Sequence, residues 1–376
     1  MIIASDEQLS LYIEHISGCD AVAIDTEFIR ENSYFPKLCL LQIGTFRTQV
    51  VIDVLSIQNF DPLLKLFSDN RVTKIIHACT QDMEVLYKSF GIVPQPIFDT
   101  QVAAAFLGWR NQVGYAQLVQ DLYGIRLPKS QSLTDWSQRP LDSQQIEYAL
   151  DDVRYLPQIW KNFLSQLDKK GRISWVTPEF KKLCDTNSFD IDPQDAWKHL
   201  KRINSISGVQ LSVAREVASW REIKARELDL PRRKLLSDEL VVEISRVIPQ
   251  TAEALHKIRG MDEYPDANEG EILDACRRGL DIPPKEYPEP PQKPKPSVEH
   301  ESICDLMYAL TRVMAKKLGV ATTVLASRDD LEDVLKHPET SVVMNGWRYD
   351  ILGCKLKDLL SGQIGLTVVD GQIEIL

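Results

Sequence analysis

The chain has 376 residues, 44% of them hydrophobic and 26% charged, with a formal net charge of −10. That length is too great for one ordinary domain and points to two or three of roughly 100–200 residues, while no run reaches the roughly 18–20 apolar residues of a membrane span. The N-terminus MIIASDEQ lacks the basic start of a signal peptide, and the scattered cysteines form no CxxC pair, so a zinc or disulfide framework is excluded and a reducing cytoplasm fits best.

Residues 6–17 carry helical apolar spacing at Leu9, Tyr12, Ile13 and Ile16, and Gly18 suits the helix end. The run 21–28, AVAIDTEF, is short, apolar and β-branched and reads as a buried strand. A polar loop containing Pro36 follows. Two more strand-like runs, 38–45 and 49–54, are joined by a short turn around Phe46 and Arg47, which predicts an antiparallel meander. The pattern then alternates: helix 61–69, strand 73–78, helix 81–91, strand 97–100 leading into a helix through Leu107, helix 115–123, and a long helix 142–166 that Pro157 should kink or divide. A meander followed by such alternation predicts a mixed-sheet α/β domain over 1–168.

Periodicity weakens over 169–193, which reads as a linker. Residues 194–260 are helical in pattern and punctuated by Gly208, Pro231 and Pro249, predicting four or five short helices within a second domain at 194–275. The Pro-rich stretch 281–298 reads as a semi-rigid exposed linker. Residues 299–376 are helical again, except that GLTVVDGQIEI predicts two short strands about the turn Asp370 and Gly371. Charge divides the same way. Residues 1–165 hold 13 Lys/Arg against 19 Asp/Glu, whereas 194–260 hold 13 against 9, an acidic catalytic part and a basic docking part.

Asp25 and Glu27 are two apart on a strand and so point the same way. Two carboxylates together at the end of a hydrophobic strand repel each other, and a divalent cation that prefers oxygen ligands is the simplest compensation. Asp82 follows a strand and opens a helix, where α/β sites collect; Glu84 beside it suits the helix dipole instead. Tyr148 and Asp152 are four apart and share a helix face, while Asp151 points elsewhere. Taken together, Asp25, Glu27, Asp82 and Asp152 can hold two divalent ions about 3.5–4 Å apart, clamping the attacking and leaving oxygens of a phosphoryl transfer. Tyr148, one turn from a ligand, is placed to orient the attacking water.

At these residues the sequence resembles the ribonuclease D family of 3′→5′ exonucleases. The family's D-x-E is met by AIDTEF, its second motif by HACTQDMEVL and its Y-x-x-x-D by YALDD, and all three occur in order. The stretch 113–141 is similar too, especially Lys129, Ser130, Asp135, Trp136 and Arg139. Residues 196–203, 218–241 and 255–260 resemble the helicase-and-RNase-D C-terminal (HRDC) domain, and 299–376 resemble a second, more divergent module of that kind. The resemblance implies a ribonuclease H-like α/β exonuclease domain followed by two small mainly helical HRDC-type domains. It also implies Mg²⁺ or Mn²⁺, release of 5′-nucleotides from RNA 3′ ends, and maturation of tRNA precursors.

Phe28 is a candidate for stacking on the terminal base, His77 and Lys129 for phosphate contacts, and the cluster Arg232, Arg233 and Lys234 for the RNA backbone. Gln42 lies mid-strand among apolar residues, where a buried amide needs a partner, and Trp220 with Arg221 reads as bundle core plus surface. We expect a cytoplasmic, monomeric 3′→5′ exoribonuclease that uses RNA and no membrane. The rivals are a DNA exonuclease of the same superfamily and a catalytically silent RNA-binding adaptor.

Overall fold

Strand β2 (Ala21–Ile29) lies near the middle of a six-stranded mixed sheet in order β1-β4-β3-β2-β5-β6. The other strands are β1 (Ile2–Ile3), β3 (Lys37–Gly44), β4 (Gln49–Asp53), β5 (Thr73–Ile76) and β6 (Ile97–Asp99). β2, β3 and β4 pair antiparallel as the expected meander, and β5 and β6 continue parallel beyond β2. β1, too short to announce itself by pattern, pairs parallel with β4. The computed structural model describes residues 1–128, 134–264, 268–289 and 297–376.

Alternation along the strands sorts the two faces. Val22, Ile24, Leu41, Ile43 and Ile52 enter a large core with helices α1 (Asp6–His15), α2 (Asp61–Ser68) and α3 (Thr80–Phe90). After α4 (Thr100–Phe106) and α5 (Tyr115–Tyr123) comes α6 (Ser143–Arg154), which lies on the opposite face over Ala21, Ala23, Leu40 and Val51. Small residues let α6 approach. A Cβ on Gly44 would sit 2.8 Å from the Val153 carbonyl oxygen, so only glycine allows this spacing. α6 begins at a capping box between Asp142 and Gln145. Pro157 divides the long helix as expected, since α7 (Leu156–Lys169) restarts with the proline in its first turn.

The stretch 169–193 departs from its reading as a linker. It holds α8 (Ile173–Leu183), whose Val176 and Phe180 join the first core. Pro178 inside the helix interrupts a pattern that Ile173, Val176, Phe180 and Leu183 otherwise keep. The following unit has its own core, built around one long helix, α9 (Val209–Glu227), rather than short helices alone. Beside it lie α10 (Arg232–Leu235), α11 (Asp238–Val247), α12 (Ala252–His256) and α13 (Glu269–Asp281). The last unit opens with α14 (Val298–Leu318) and ends in the expected hairpin, β7 (Leu366–Val369) with β8 (Gln372–Ile375), turning at Asp370 and Gly371 with positive φ at both. No helix among the described residues is long and apolar enough to cross a membrane.

The last unit packs into the first core instead of standing apart: Met307, Leu310 and Leu331 belong to that cluster. Buried Arg172 rivets the two together. Its guanidinium donates to the carbonyl oxygens of Phe106 at 2.6 Å, Gly319 at 3.2 Å and Leu318, closing the C-terminal ends of α4 and α14 at once. Both ends are the negative poles of helix dipoles. Arg172→Ala strands the buried Phe106 carbonyl and takes a donor from the part-buried Leu318 and Gly319 carbonyls, and is expected to cost roughly 2 kcal/mol. Denaturant melts check that figure, and limited proteolysis should find the last unit newly cleavable; wild-type behaviour in both would show the rivet to be dispensable.

Candidate active site

Asp25 and Glu27 project from one face of β2 toward α6, which contributes Asp152. These three carboxylates each place an oxygen within 4.8 Å of the others. Asp82, on the first turn of α3, is not one of that trio but lines the same cavity of about 1180 Å³. It is buried and accepts a 2.5 Å hydrogen bond from Thr26, the residue between the two strand acids. Thr26 faces the opposite side of the sheet from its neighbours, so it steadies the fourth acid without entering the trio. D-x-E reading passed over it because its partner is 56 residues away.

The electrostatics are those of like charges forced together. Burial, then Asp152, Asp82 and Glu27, holds the Asp25 carboxyl well above the usual range. Burial, then Asp152 and Asp82, pushes Glu27 up to about 8. Burial pushes Asp152 to about 7 against a lowering hydrogen bond from Tyr148, and Asp82 to about 6 against the Thr26 bond. Among the described residues, no lysine or arginine is one of the leading influences on these four carboxyls. A set made only of carboxylate oxygens, buried and mutually repelling, fits a divalent cation that prefers hard oxygen donors.

Tyr148 stands one turn before Asp152 on α6, and its ring stacks on Trp136 with centroids 6.1 Å apart and planes at 28°. Trp136 is buried, and its loop is pinned by Arg139, which bonds Asp53 through two nitrogens at 2.8 and 2.5 Å and the Trp136 carbonyl at 2.8 Å. Asp151 points away from the cavity as expected, pairing with Arg154 at 2.6 Å. Its carbonyl accepts from the Tyr115 hydroxyl at 2.9 Å.

Phe28 is half-buried, packs against the main core and also lines the cavity. His77 lines it too, but both ring nitrogens are engaged, Nδ1 with Thr100 at 2.8 Å and Nε2 with the Val113 carbonyl at 3.0 Å. A carbonyl only accepts, so the proton is on Nε2 and neither nitrogen is left for a phosphate. The expected phosphate contact is thereby corrected to a structural histidine. Lys129 lies outside the described residues.

The basic cluster on α10 departs from expectation at Arg232. Arg232 pairs with fully buried Glu222 at 3.4 Å and lies 5.8 Å over the Tyr34 ring, while Lys234 donates to Asn32 at 2.8 Å. Arg233 and Lys234 are both exposed, and neither has an ion pair among the described residues. Arg232 and Lys234 thus reach the loop between β2 and β3. There the Tyr34 hydroxyl donates to Glu222 and accepts from Arg226 at 3.0 Å, and the Phe35 amide donates to Asp229 at 3.0 Å. That loop and Asp229 both line the acid-bearing cavity, so the second unit closes one side of it. Trp220 belongs to the second core, and Arg221, read as surface, is buried with its guanidinium bonded to Leu236 and Asp238.

Comparison with known proteins agrees with this arrangement. A family model for 3′-5′ exonuclease matches residues 1–168, and one for the HRDC domain matches 210–275. Ribonuclease D of Jannaschia sp. is 36% identical over 382 residues, covering 99% of this chain and 98% of the relative. Ribonuclease D of Bartonella henselae is 34% identical over 381 residues, covering 99% and 93%. Among solved structures, Escherichia coli RNase D, described as an exoribonuclease involved in structured RNA processing, matches with a TM-score of 0.86 at 28% identity, covering 96% of this chain and 98% of that one.

Proposed function

The chain belongs to the ribonuclease D family, and from that premise we propose that it removes nucleotides one at a time from RNA 3′ ends. The substrates are 3′-extended tRNA precursors and other structured RNAs, and the products are 5′-mononucleotides. The observation that carries the reading is the meeting of Asp25, Glu27 and Asp152, drawn from a strand and a helix 125 residues apart in the chain, at one end of a large cavity.

In this reading Asp25, Glu27, Asp82 and Asp152 hold two divalent ions, Mg²⁺ or Mn²⁺. When bound, such ions supply Lewis acidity and neutralise charge at the phosphoryl group. The chain's own groups do the rest. The Tyr148 hydroxyl, held by Trp136 and Asp152, orients the water that attacks phosphorus. The bond from phosphorus to the 3′-oxygen breaks, and that oxygen leaves protonated on the shortened RNA. Phe28 offers its cavity-facing edge to the terminal base. The loop between β2 and β3, clamped through Tyr34, walls the path of the strand. We take 1–168 as the exonuclease domain, 194–275 as the HRDC domain and 299–376 as a second, divergent module, in a monomeric cytoplasmic enzyme.

For the RNA backbone, the face of the HRDC domain that carries Lys201, Arg202 and Arg259 joins exposed Arg233 and Lys234 of α10. Lys201, Arg202 and Arg259 line a cavity of about 330 Å³, are exposed, and have no ion pair among the described residues. Their triple alanine variant should flatten the salt dependence of RNA affinity by roughly 2 logarithmic slope units, at about 0.7 per single-stranded phosphate contact. An unchanged slope would move the docking face elsewhere.

The decisive assay incubates the protein with a 3′-extended tRNA precursor, with Mg²⁺ or chelator, beside a matched DNA strand. A ladder shrinking from the 3′ end only with metal, and faster on RNA, is the expected result. A preference for DNA would favour the repair-type rival, and absence of mononucleotide release would favour the adaptor.

A further inference from the structure

Gln42 is fully buried on β3, and neither its Nε2 nor its Oε1 has a hydrogen-bonding partner among the described residues. An unpaired buried amide is destabilising, and an apolar residue of similar shape would avoid the penalty. The position of Gln42 is telling. In the β2–β3 register its partner is Asp25, and in the β3–β4 register it is Val51. Directly opposed residues share a face, with Cβ atoms about 4.5–5.5 Å apart. Gln42 therefore points with Asp25 to the side covered by α6. Two residues along β3 on that same face, Gly44 touches Val153, the neighbour of Asp152. Gln42 thus shares a face and a register position with Asp25, on the side from which α6 brings Asp152, and it does not line the acid-bearing cavity.

We infer that Gln42 is a positioning residue for the catalytic acids. Its amide N–H is held in reserve for a carboxylate oxygen of Asp25 or Asp152 that faces away from the cation, fixing that carboxylate when the site is loaded. The inference rests on the divalent-cation reading of those acids. Groups that hold metal ligands from behind are worth about 10–100-fold in metal affinity.

The test uses the full-length protein without RNA, titrated calorimetrically with Mn²⁺ and with Mg²⁺, and melted in chelator. Gln42→Leu should weaken ion binding 10–100-fold, yet raise the melting temperature of the metal-free protein, because the unpaired amide is gone. Gln42→Met, closer in shape, is the second variant and should behave alike. A purely structural glutamine predicts the reverse pattern, unchanged ion affinity with a lower melting temperature. Wild-type ion affinity in either variant, or a lowered metal-free melting temperature in both, overturns the inference. Failure of wild-type protein to bind either ion would instead overturn the metal reading beneath it, so the two failures are distinct.

Discussion

Asp25→Asn is expected to lower exonuclease turnover by about three orders of magnitude, because several kcal/mol of transition-state charge stabilisation depart with the metal. The same change should make the metal-free protein more stable. The reason lies in the direction of the proton linkage. The ordinary values are 3.8 for Asp and 4.5 for Glu, whereas burial and mutual repulsion push Glu27 to about 8 and Asp152 to about 7 in the folded chain, with Asp25 also held well above its usual range. Between the ordinary and the raised values the folded state binds more protons than the unfolded one, so stability falls as pH rises. The acids are tolerated at pH below their ordinary values, where both states are protonated, and become progressively destabilising toward pH 8.

Melts in chelator at pH 5 and pH 8 should therefore show the wild-type protein losing stability across that interval, beyond what the rest of the chain contributes. Asp25→Asn removes one acid and relieves its neighbours, so its slope should be shallower and its pH 8 melting temperature higher. A divalent ion at 100 times its dissociation constant should restore about 2.7 kcal/mol to wild type and little to the variant. Equal pH slopes in the two proteins would show that the acids do not repel in the folded chain as described. An active variant would remove Asp25 from the site.

The parts of this site that were legible in the sequence are those that depend on local period. Two residues along a strand or four along a helix share a face whatever the tertiary context, and this places Asp25 with Glu27 and Tyr148 with Asp152. What could not be read was what comes between such pairs. Thr26, on the far face, is joined to Asp82 only by folding, and Gly44 is needed only because α6 crosses β3 there. Charge was the weakest guide. Arg232 read as part of a solvent-facing basic cluster, yet it is paired with Glu222, buried on α9, while Lys234 stays exposed and reaches Asn32, 202 residues earlier. A run of cations gives the sign of a surface but not which of its members a buried acid already holds. Helix α8 was hidden differently: Ile173, Val176, Phe180 and Leu183 keep a helical period, but Pro178 in their midst reads as a break.

Tyr148→Phe separates placement from chemistry more cleanly than any change to an acid. The phenylalanine ring can keep the stack on Trp136, whose loop stays pinned through Arg139 and Asp53, so only the hydroxyl is lost. If that hydroxyl orients the attacking water, the single-turnover rate should fall about 10²-fold or more, the lower end for a positioned proton-handling group. Metal affinity should change little, since no acid is removed. A second effect has a definite sign. The Tyr148 bond lowers the proton affinity of Asp152, so its loss lets that carboxyl rise further, and the acid limb of the pH–rate profile should move to higher pH. Trp136→Ala retains the hydroxyl but frees the ring, and it should lower the rate without removing the group itself. If Tyr148→Phe leaves both the rate and the acid limb where they were, the tyrosine is packing alone, and the water must be oriented from the acids.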